Sequence, residues 1–338
     1  MNLTGFALIT CSDRPPESLT WFKRLIKFLK QYIRKTDNEL FGSIQVIDIG
    51  NGLAVHFVTL PYSREELLKF EAVRARKALI PFIDYLARNS ISKFIFSKYL
   101  YDISAFADFK ESKSGFTVFS ALMTHVIDEI YTKNGIDINS LDIVVIPGES
   151  QPGLFTVLKQ LMYNAKYLAV ISDDSWVSAK ADEIFTETGL SIMVTTDFKS
   201  VLKNADLIIN LGRIPDTIRG IRIKPTAVIL NYGDQNSFKH FYEGILIRGI
   251  TVRLPAGLQH KLGKLVCESF SSIQLAETII CLKLNLNNGM LPGSDESGML
   301  DKIREEFIRG GYNIDGLIGR HTTLTKEEMK AKLKKIIK

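Results

Sequence analysis

Between residues 141 and 231 the chain alternates two rhythms: short unbroken runs of aliphatic residues, and longer stretches in which apolar positions return every three or four residues. The unbroken runs are Asp142–Pro147, Tyr167–Ser172, Ser191–Thr195, Asp206–Asn210 and Ala227–Asn231, and they predict strands buried on both faces. The periodic stretches between them, about 154–164, 177–188 and 198–204, predict the helices that cover those strands. Strict alternation of the two predicts a parallel sheet wound on both faces, because parallel neighbours can be joined only by a crossover. A further strand at 249–254 is expected to close this sheet.

The first 138 residues are less regular. Leu3–Thr10 reads as a strand and 16–35 as a helix. Ser43–Ile49 and Leu53–Leu60 read as two strands joined by Gly50-Asn51-Gly52, residues that tolerate the positive φ of a tight hairpin. Arg64–Asn89 carries one long helical pattern, expected to bend at Pro81, whose ring removes a hydrogen bond. Lys93–Ser97 reads as a short strand and Thr117–Lys133 as a helix stopped by Gly135. Past Pro255 the pattern gives a long helix over 259–284, a turn-rich stretch over 285–298 and two final helices, 299–309 and 325–338. The expected class is α/β. An N-terminal α/β domain spans 1–138, the doubly wound sheet spans 139–258, and C-terminal helices of 259–338 pack on the first domain.

A length of 338 residues suits about two domains, and a hydrophobic content of 46% excludes disordered and collagen-like chains. Cys11, Cys267 and Cys281 are scattered, which excludes a disulfide scaffold and a cysteine-based zinc site. With no basic, apolar leader at the start, they lead us to expect a cytoplasmic protein. The longest apolar runs fall far short of the roughly 20 residues of a membrane span. The net charge of +6 is largely local. Residues 326–338 hold six Lys against two Glu, and Lys23, Arg24, Lys27, Lys30, Arg34 and Lys35 lie opposite Phe22, Leu25, Ile26 and Leu29 on one helix. Such clusters fit solvated helix faces, so neither a nucleic acid nor a membrane is expected as a partner.

In a doubly wound sheet, ligands bind at the carboxyl ends of the strands. After the first strand comes Gly148-Glu149-Ser150-Gln151-Pro152-Gly153. Gly148 and Gly153 allow close approach, and Ser150 and Gln151 lead into a helix whose free amides can receive a pyrophosphate. The spacing is GxxxxG rather than GxGxxG, no Lys-Ser/Thr follows, and Pro152 offers no amide donor. After the second strand, Asp173 and Asp174 are placed either to hold ribose hydroxyls or to cap the following helix. Gly212 follows the fourth strand. Catalytic candidates are few. Cys11 could act as a nucleophile once ionised, or be an inert core thiol. Lys98, Tyr101 and Asp102, with Tyr99, could move a proton, or be loop residues. His125 fits an apolar helix face, and no HExxH or comparable cluster predicts a metal.

The runs ADLIINLG (205–212) and IKPTAVILNYGD (223–234) resemble the C-terminal half of Rossmann domains. The similar families are shikimate dehydrogenase, methylene-tetrahydrofolate dehydrogenase, and predicted amino-acid dehydrogenases related to bacterial acyl-carrier-protein reductases. The resemblance covers roughly 141–257, and 274–282 with 302–316 is similar to the C-terminal part of the last group. It implies a Rossmann-like domain holding NAD or NADP along Gly148, Gly153, Asp173 and Gly212. Two acidic residues with no cation before Lys180 favour NAD, since a 2′-phosphate needs a positive charge there. The leading expectation is an NAD(P)-dependent oxidoreductase acting on a small-molecule substrate in a cleft between domains, and a homodimer is compatible with the sequence. The alternative is a non-catalytic Rossmann-like binding or regulatory protein with an altered cofactor site.

Overall fold

The computed structural model describes residues 4–12, 43–100, 103, 115–148, 151–212, 221–233, 244–286, 296–320, 322–324 and 326–333. The basic helix expected over 16–35, together with Tyr101, Asp102 and Ser150, lies outside the described residues. Contacts gather the chain into two units. Met1–Gly115, Leu254–Asn288 and Gly310–Tyr312 form the first; Phe116–Arg253, Gly289–Arg309 and Asn313–Lys338 form the second. The division therefore follows Gly115 rather than residue 138, because Phe116 and Phe119 pack on Tyr232 of the second unit. The C-terminal segments are shared between the units rather than all joining the first.

In the first unit, β1 (Thr4–Ser12) is an unbroken apolar run because it is buried on both faces, Gly5 through Cys11 alike. It lies parallel to β3 (Leu53–Ser63) and β4 (Phe94–Phe96), while β2 (Ser43–Gly50) runs antiparallel to β3, giving the order β2-β3-β1-β4. The hairpin turn takes φ of 90°, 55° and 74° at Gly50, Asn51 and Gly52, as its residues predicted. The single helix expected over 64–89 is two. α1 (Arg64–Leu68) opens with a capping box in which the Ser63 hydroxyl accepts from Glu66 N–H and the Glu66 carboxylate accepts from Ser63 N–H. α2 (Ala72–Arg88) starts afresh after Glu71 turns extended, and Pro81 sits inside it. Leu79, Phe82 and Leu86 of α2 meet Ala7, Ile9, Val58, Leu60 and Phe96 of the sheet. Each such burial contributes about 1.5–3 kcal/mol.

Farther along, α8 (Ala256–Ser269) and α9 (Ser272–Lys283) also belong to this unit. They replace the single helix expected over 259–284, and α8 is itself kinked at Gly263, whose backbone leaves the helical region (φ 76°, ψ 163°). Phe270 breaks the expected helix by turning extended (φ −114°, ψ 159°), which lets its fully buried ring meet Phe57 edge-on at 6.1 Å.

The second unit begins with α3 (Phe116–Ala121) and α4 (Met123–Ile130), which replace the single helix expected over 117–133 and are parted at Leu122 (φ −98°, ψ 12°), and Gly135 closes the turn after them at φ 79°. Then come β5 (Asp142–Ile146), α5 (Gln151–Leu161), β6 (Tyr167–Ile171), α6 (Ser175–Thr188), β7 (Ile192–Thr195), α7 (Phe198–Asn204), β8 (Leu207–Asn210), β9 (Val228–Asn231) and β10 (Ile245–Ile247). All six strands are parallel, in the order β10-β9-β8-β5-β6-β7. Counted along the chain and read from β7, that is 3-2-1-4-5-6, the order of a doubly wound Rossmann sheet. The mixed α/β class is thus as expected.

The sixth strand, however, is Ile245–Ile247. The run at 249–254 forms β11 (Gly249–Arg253) in a separate antiparallel sheet with β12 (Asn313–Ile318) and β13 (Thr323–Leu324). α10 (Glu296–Arg309) and α11 (Lys326–Leu333) complete the described residues.

One face of the parallel sheet, with Val144, Ile146, Ala169, Ile171, Ile208 and Ile229, is sealed by Val201, Leu202 and Ala205 at α7. At the amino ends of the strands, Asp206 ties the structure together. Its carboxylate accepts from Asp142 N–H (3.1 Å) and Lys224 Nζ (2.7 Å), and its carbonyl accepts from the fully buried Tyr131 hydroxyl (2.9 Å). Among the described residues no helix is long and apolar enough to cross a membrane.

Candidate functional site

A doubly wound sheet has a crevice where its strand order reverses, here between the carboxyl ends of β5 and β8. Ile146, Asn210 and Asn231 lie in register across β5, β8 and β9, and each is followed two residues later by a glycine: Gly148, Gly212 and Gly233. The three backbones approach more closely than side chains permit. A methyl on Gly148 would stand 2.5 Å from the Leu211 carbonyl oxygen. On Gly212 it would stand 2.6 Å from the Pro147 oxygen and 2.7 Å from Gly148 Cα, and on Gly233 2.0 Å from the Gly212 oxygen. All three glycines stay partly exposed, so a seam of bare backbone crosses the switch point.

The seam is held by two buried amides. Asn210 Nδ2 donates to the Gly212 carbonyl (2.9 Å) and to Asn231 Oδ1 (2.7 Å), and Asn210 Oδ1 accepts from Gly212 N–H (3.4 Å). Asn210 is 0% exposed and Asn231 5%. Tyr232, next in the chain, stacks on Phe119 at 4.3 Å, and its buried hydroxyl has no hydrogen-bond partner among the described residues. Burial drives its pKa well above the ordinary phenol value, which keeps the proton on it.

On the other side of the crevice, Asp174 caps α6, its carboxylate accepting from Trp176 N–H at 2.8 Å. Asp173 follows the same strand with an exposed carboxylate that makes no hydrogen bond among the described residues. The pair read together in the sequence is therefore divided between a capping residue and a free one. Lys180, the first cation after β6, is engaged over the Phe155 ring (4.8 Å) and by the Glu183 carboxylate. α5 begins at Gln151, so Pro152 sits in its first turn, where amides lack helical partners, and Gly153 follows.

Two catalytic candidates have structural places. Cys11 is buried in the core against α2, and Lys98 donates to the Glu268 carbonyl (3.1 Å) near the end of α8. Tyr99 is exposed, and its carbonyl accepts from Arg64. His125 is half-buried on α4, with an Nδ1 that has no partner among the described residues. Among the described residues no three or more His, Cys, Asp or Glu gather as a metal site. Asn210, Asn231 and Gly233 lie in the two runs that carry the resemblance, whose ends are expected to flank the nicotinamide half of a dinucleotide. The sequence assigns none of the three a role of its own beyond the repeat Asn-x-Gly at the ends of neighbouring strands.

The second unit thus places the chain among mixed α/β proteins with a doubly wound, six-stranded parallel sheet. No protein-family model matches the chain, and no curated protein matches it. Among solved structures it is similar to the NAD+-bound D-lactate dehydrogenase of Lactobacillus jensenii, with TM-score 0.27 and 12% identity over 69% of this chain and 74% of that one. It is also similar to L-tryptophan dehydrogenase of Nostoc punctiforme, with TM-score 0.29 and 11% identity over 98% and 88% of the two chains. A dipicolinate synthase chain of Bacillus halodurans gives TM-score 0.32 and 11% identity over 84% and 99%.

Proposed function

We propose that the chain is an NAD(P)-dependent oxidoreductase acting on a small metabolite, with NAD preferred. The observation that carries this reading is the backbone seam of Gly148, Gly212 and Gly233 at the switch point of a 3-2-1-4-5-6 sheet, flanked by the free carboxylate of Asp173. Gly148 and the N-terminus of α5, with Ser150, Gln151 and Gly153, would receive the pyrophosphate. Asp173 would hold the ribose hydroxyls, and Gly212 would lie beneath the nicotinamide half. When bound, the dinucleotide supplies hydride transfer. Asp173 also disfavours a 2′-phosphate, and Lys180 is already engaged by Glu183 and Phe155.

The test is calorimetric titration with NAD, NADH, NADP and NADPH. NADH is expected to bind and, at 100 times its Kd, to stabilise the protein by about 2.7 kcal/mol. Failure of all four to bind at about 1 mM, a Kd worth only ~4 kcal/mol, would refute the proposal. A second reading, a non-catalytic dinucleotide-binding protein, is favoured by the structural places of Cys11 and Lys98. NADH binding without turnover against a panel of 2-oxo acids and aldehydes would select it.

A further inference from the structure

Asn210 closes β8 in full burial, a place where Ile146, its register partner on β5, shows that an aliphatic residue suits the sheet. Burying a primary amide costs free energy unless every group is satisfied. Here the satisfaction is directed at one peptide: Asn210 fixes both the N–H and the C=O of Gly212, which the sheet ladder leaves behind. Its second donor contact, to Asn231, fixes the end of β9 beside it. Removing the side chain would free the Gly212 peptide to rotate, and with it the surface that Gly212 and Gly233 present at the crevice.

We propose that Asn210 is a positioning residue for the nicotinamide half of the dinucleotide, holding the Gly212 peptide as the rigid floor on which that half rests. The inference rests on the dinucleotide reading above. Asp173 and the start of α5 lie on the β5–β6 side of the crevice and match the ADP half, so the remaining half falls over β8 and β9, where Asn210 acts. Asn210 does not touch the ligand; it works through Gly212.

Titration of NADH and of ADP-ribose into wild type and Asn210→Ala separates the halves. For Asn210→Ala, NADH binding is expected to weaken about tenfold or more, equivalent to ~1.4 kcal/mol, while ADP-ribose stays within about twofold. A general loss of structure would weaken both ligands equally. Equal weakening, or no change in either, overturns the proposal. Wild type that binds neither ligand removes the dinucleotide reading itself and this inference with it. Should Asn210→Ala fail to fold, amide resonances of the wild-type protein decide. Those of Gly212 and Gly233 are expected to move with NADH and stay still with ADP-ribose. If NADH moves the Asp173 amide and leaves both glycines unchanged, Asn210 has no such role.

Discussion

Replacing Gly212 by Ala tests the backbone seam directly. Gly212 has no positive φ, so alanine can adopt its conformation, and the loss of freedom in the unfolded chain would by itself stabilise by about 0.4–1 kcal/mol. Against this stands the new methyl, 2.6 Å from the Pro147 oxygen, 2.7 Å from Gly148 Cα and 3.3 Å from Gly148 N. All three atoms are backbone, so the overlap is relieved only by parting the ends of β5 and β8. Overpacking of this kind costs about 1–3 kcal/mol, which outweighs the entropic gain. A net loss of roughly 1–2 kcal/mol is expected, or a fall of roughly 2–4 °C in Tm per kcal/mol for a unit of this size. Urea unfolding followed by circular dichroism measures it. Gly257→Ala is the control: that glycine is exposed in the first turn of α8, and a methyl there meets nothing within 4 Å. It should stabilise by up to about 1 kcal/mol. Gly212→Ala as stable as wild type, or shifted like the control, would refute the close approach of the two strand ends.

Burial lowers the pKa of both His56 and His125, with the Arg304 charge acting further on His125, so both are neutral in the fold and the unfolded chain binds more protons between the lowered value and 6.5. Stability present above pH 6.5 should therefore be lost as pH falls below it, and urea midpoints for His125→Leu should show a flatter pH profile. Tyr131→Phe removes the 2.9 Å hydrogen bond to the Asp206 carbonyl in a fully buried position and should cost about 1–2 kcal/mol by the same assay. Burial pushes the Cys281 thiol up to about 11 and Cys11 lies in the core, so a disulfide reagent at neutral pH should modify Cys267 first and the other two only on unfolding. Modification of Cys11 in the native protein would contradict its placement.

The parallel sheet was legible because its central strands are buried on both faces and rich in Val, Ile and Leu, a signal that needs no partner to be read; β7, at the edge, departs from the expected burial, with Met193 exposed. The same holds for the hairpin at Gly50-Asn51-Gly52, where local backbone preference decides. β10 was hidden because three apolar residues between Gly244 and Gly249 look like part of a turn, and only pairing with β9 makes them a strand. β12 contains Asn313, Asp315 and Gly316, all poor strand formers, and is held extended by β11, some sixty residues earlier in the chain. The three split helices failed for another reason: the apolar period continues across Lys69–Glu71, across Leu122 and across Phe270, so periodicity cannot report the break. In the candidate site, the sequence pointed to Gly212 and Asp173 one at a time. What it lacked was the lateral register that sets Ile146, Asn210 and Asn231 side by side.

That distant pairing of β11 with β12 carries a consequence for synthesis. The ribosome completes Arg253 before it has made Asn313, the residue that will sit opposite, so a strand edge emerges without its partner. At 5–20 residues per second the wait is roughly 3–12 s, long compared with the collapse of the segment already released. An open edge for that time is a site where two nascent chains can join. α8 and α9, made during the same interval, belong to the first unit, so the wait leaves both units unfinished at once. Synonymous codons that slow translation between 254 and 312 should therefore lower the soluble yield of an unchanged protein.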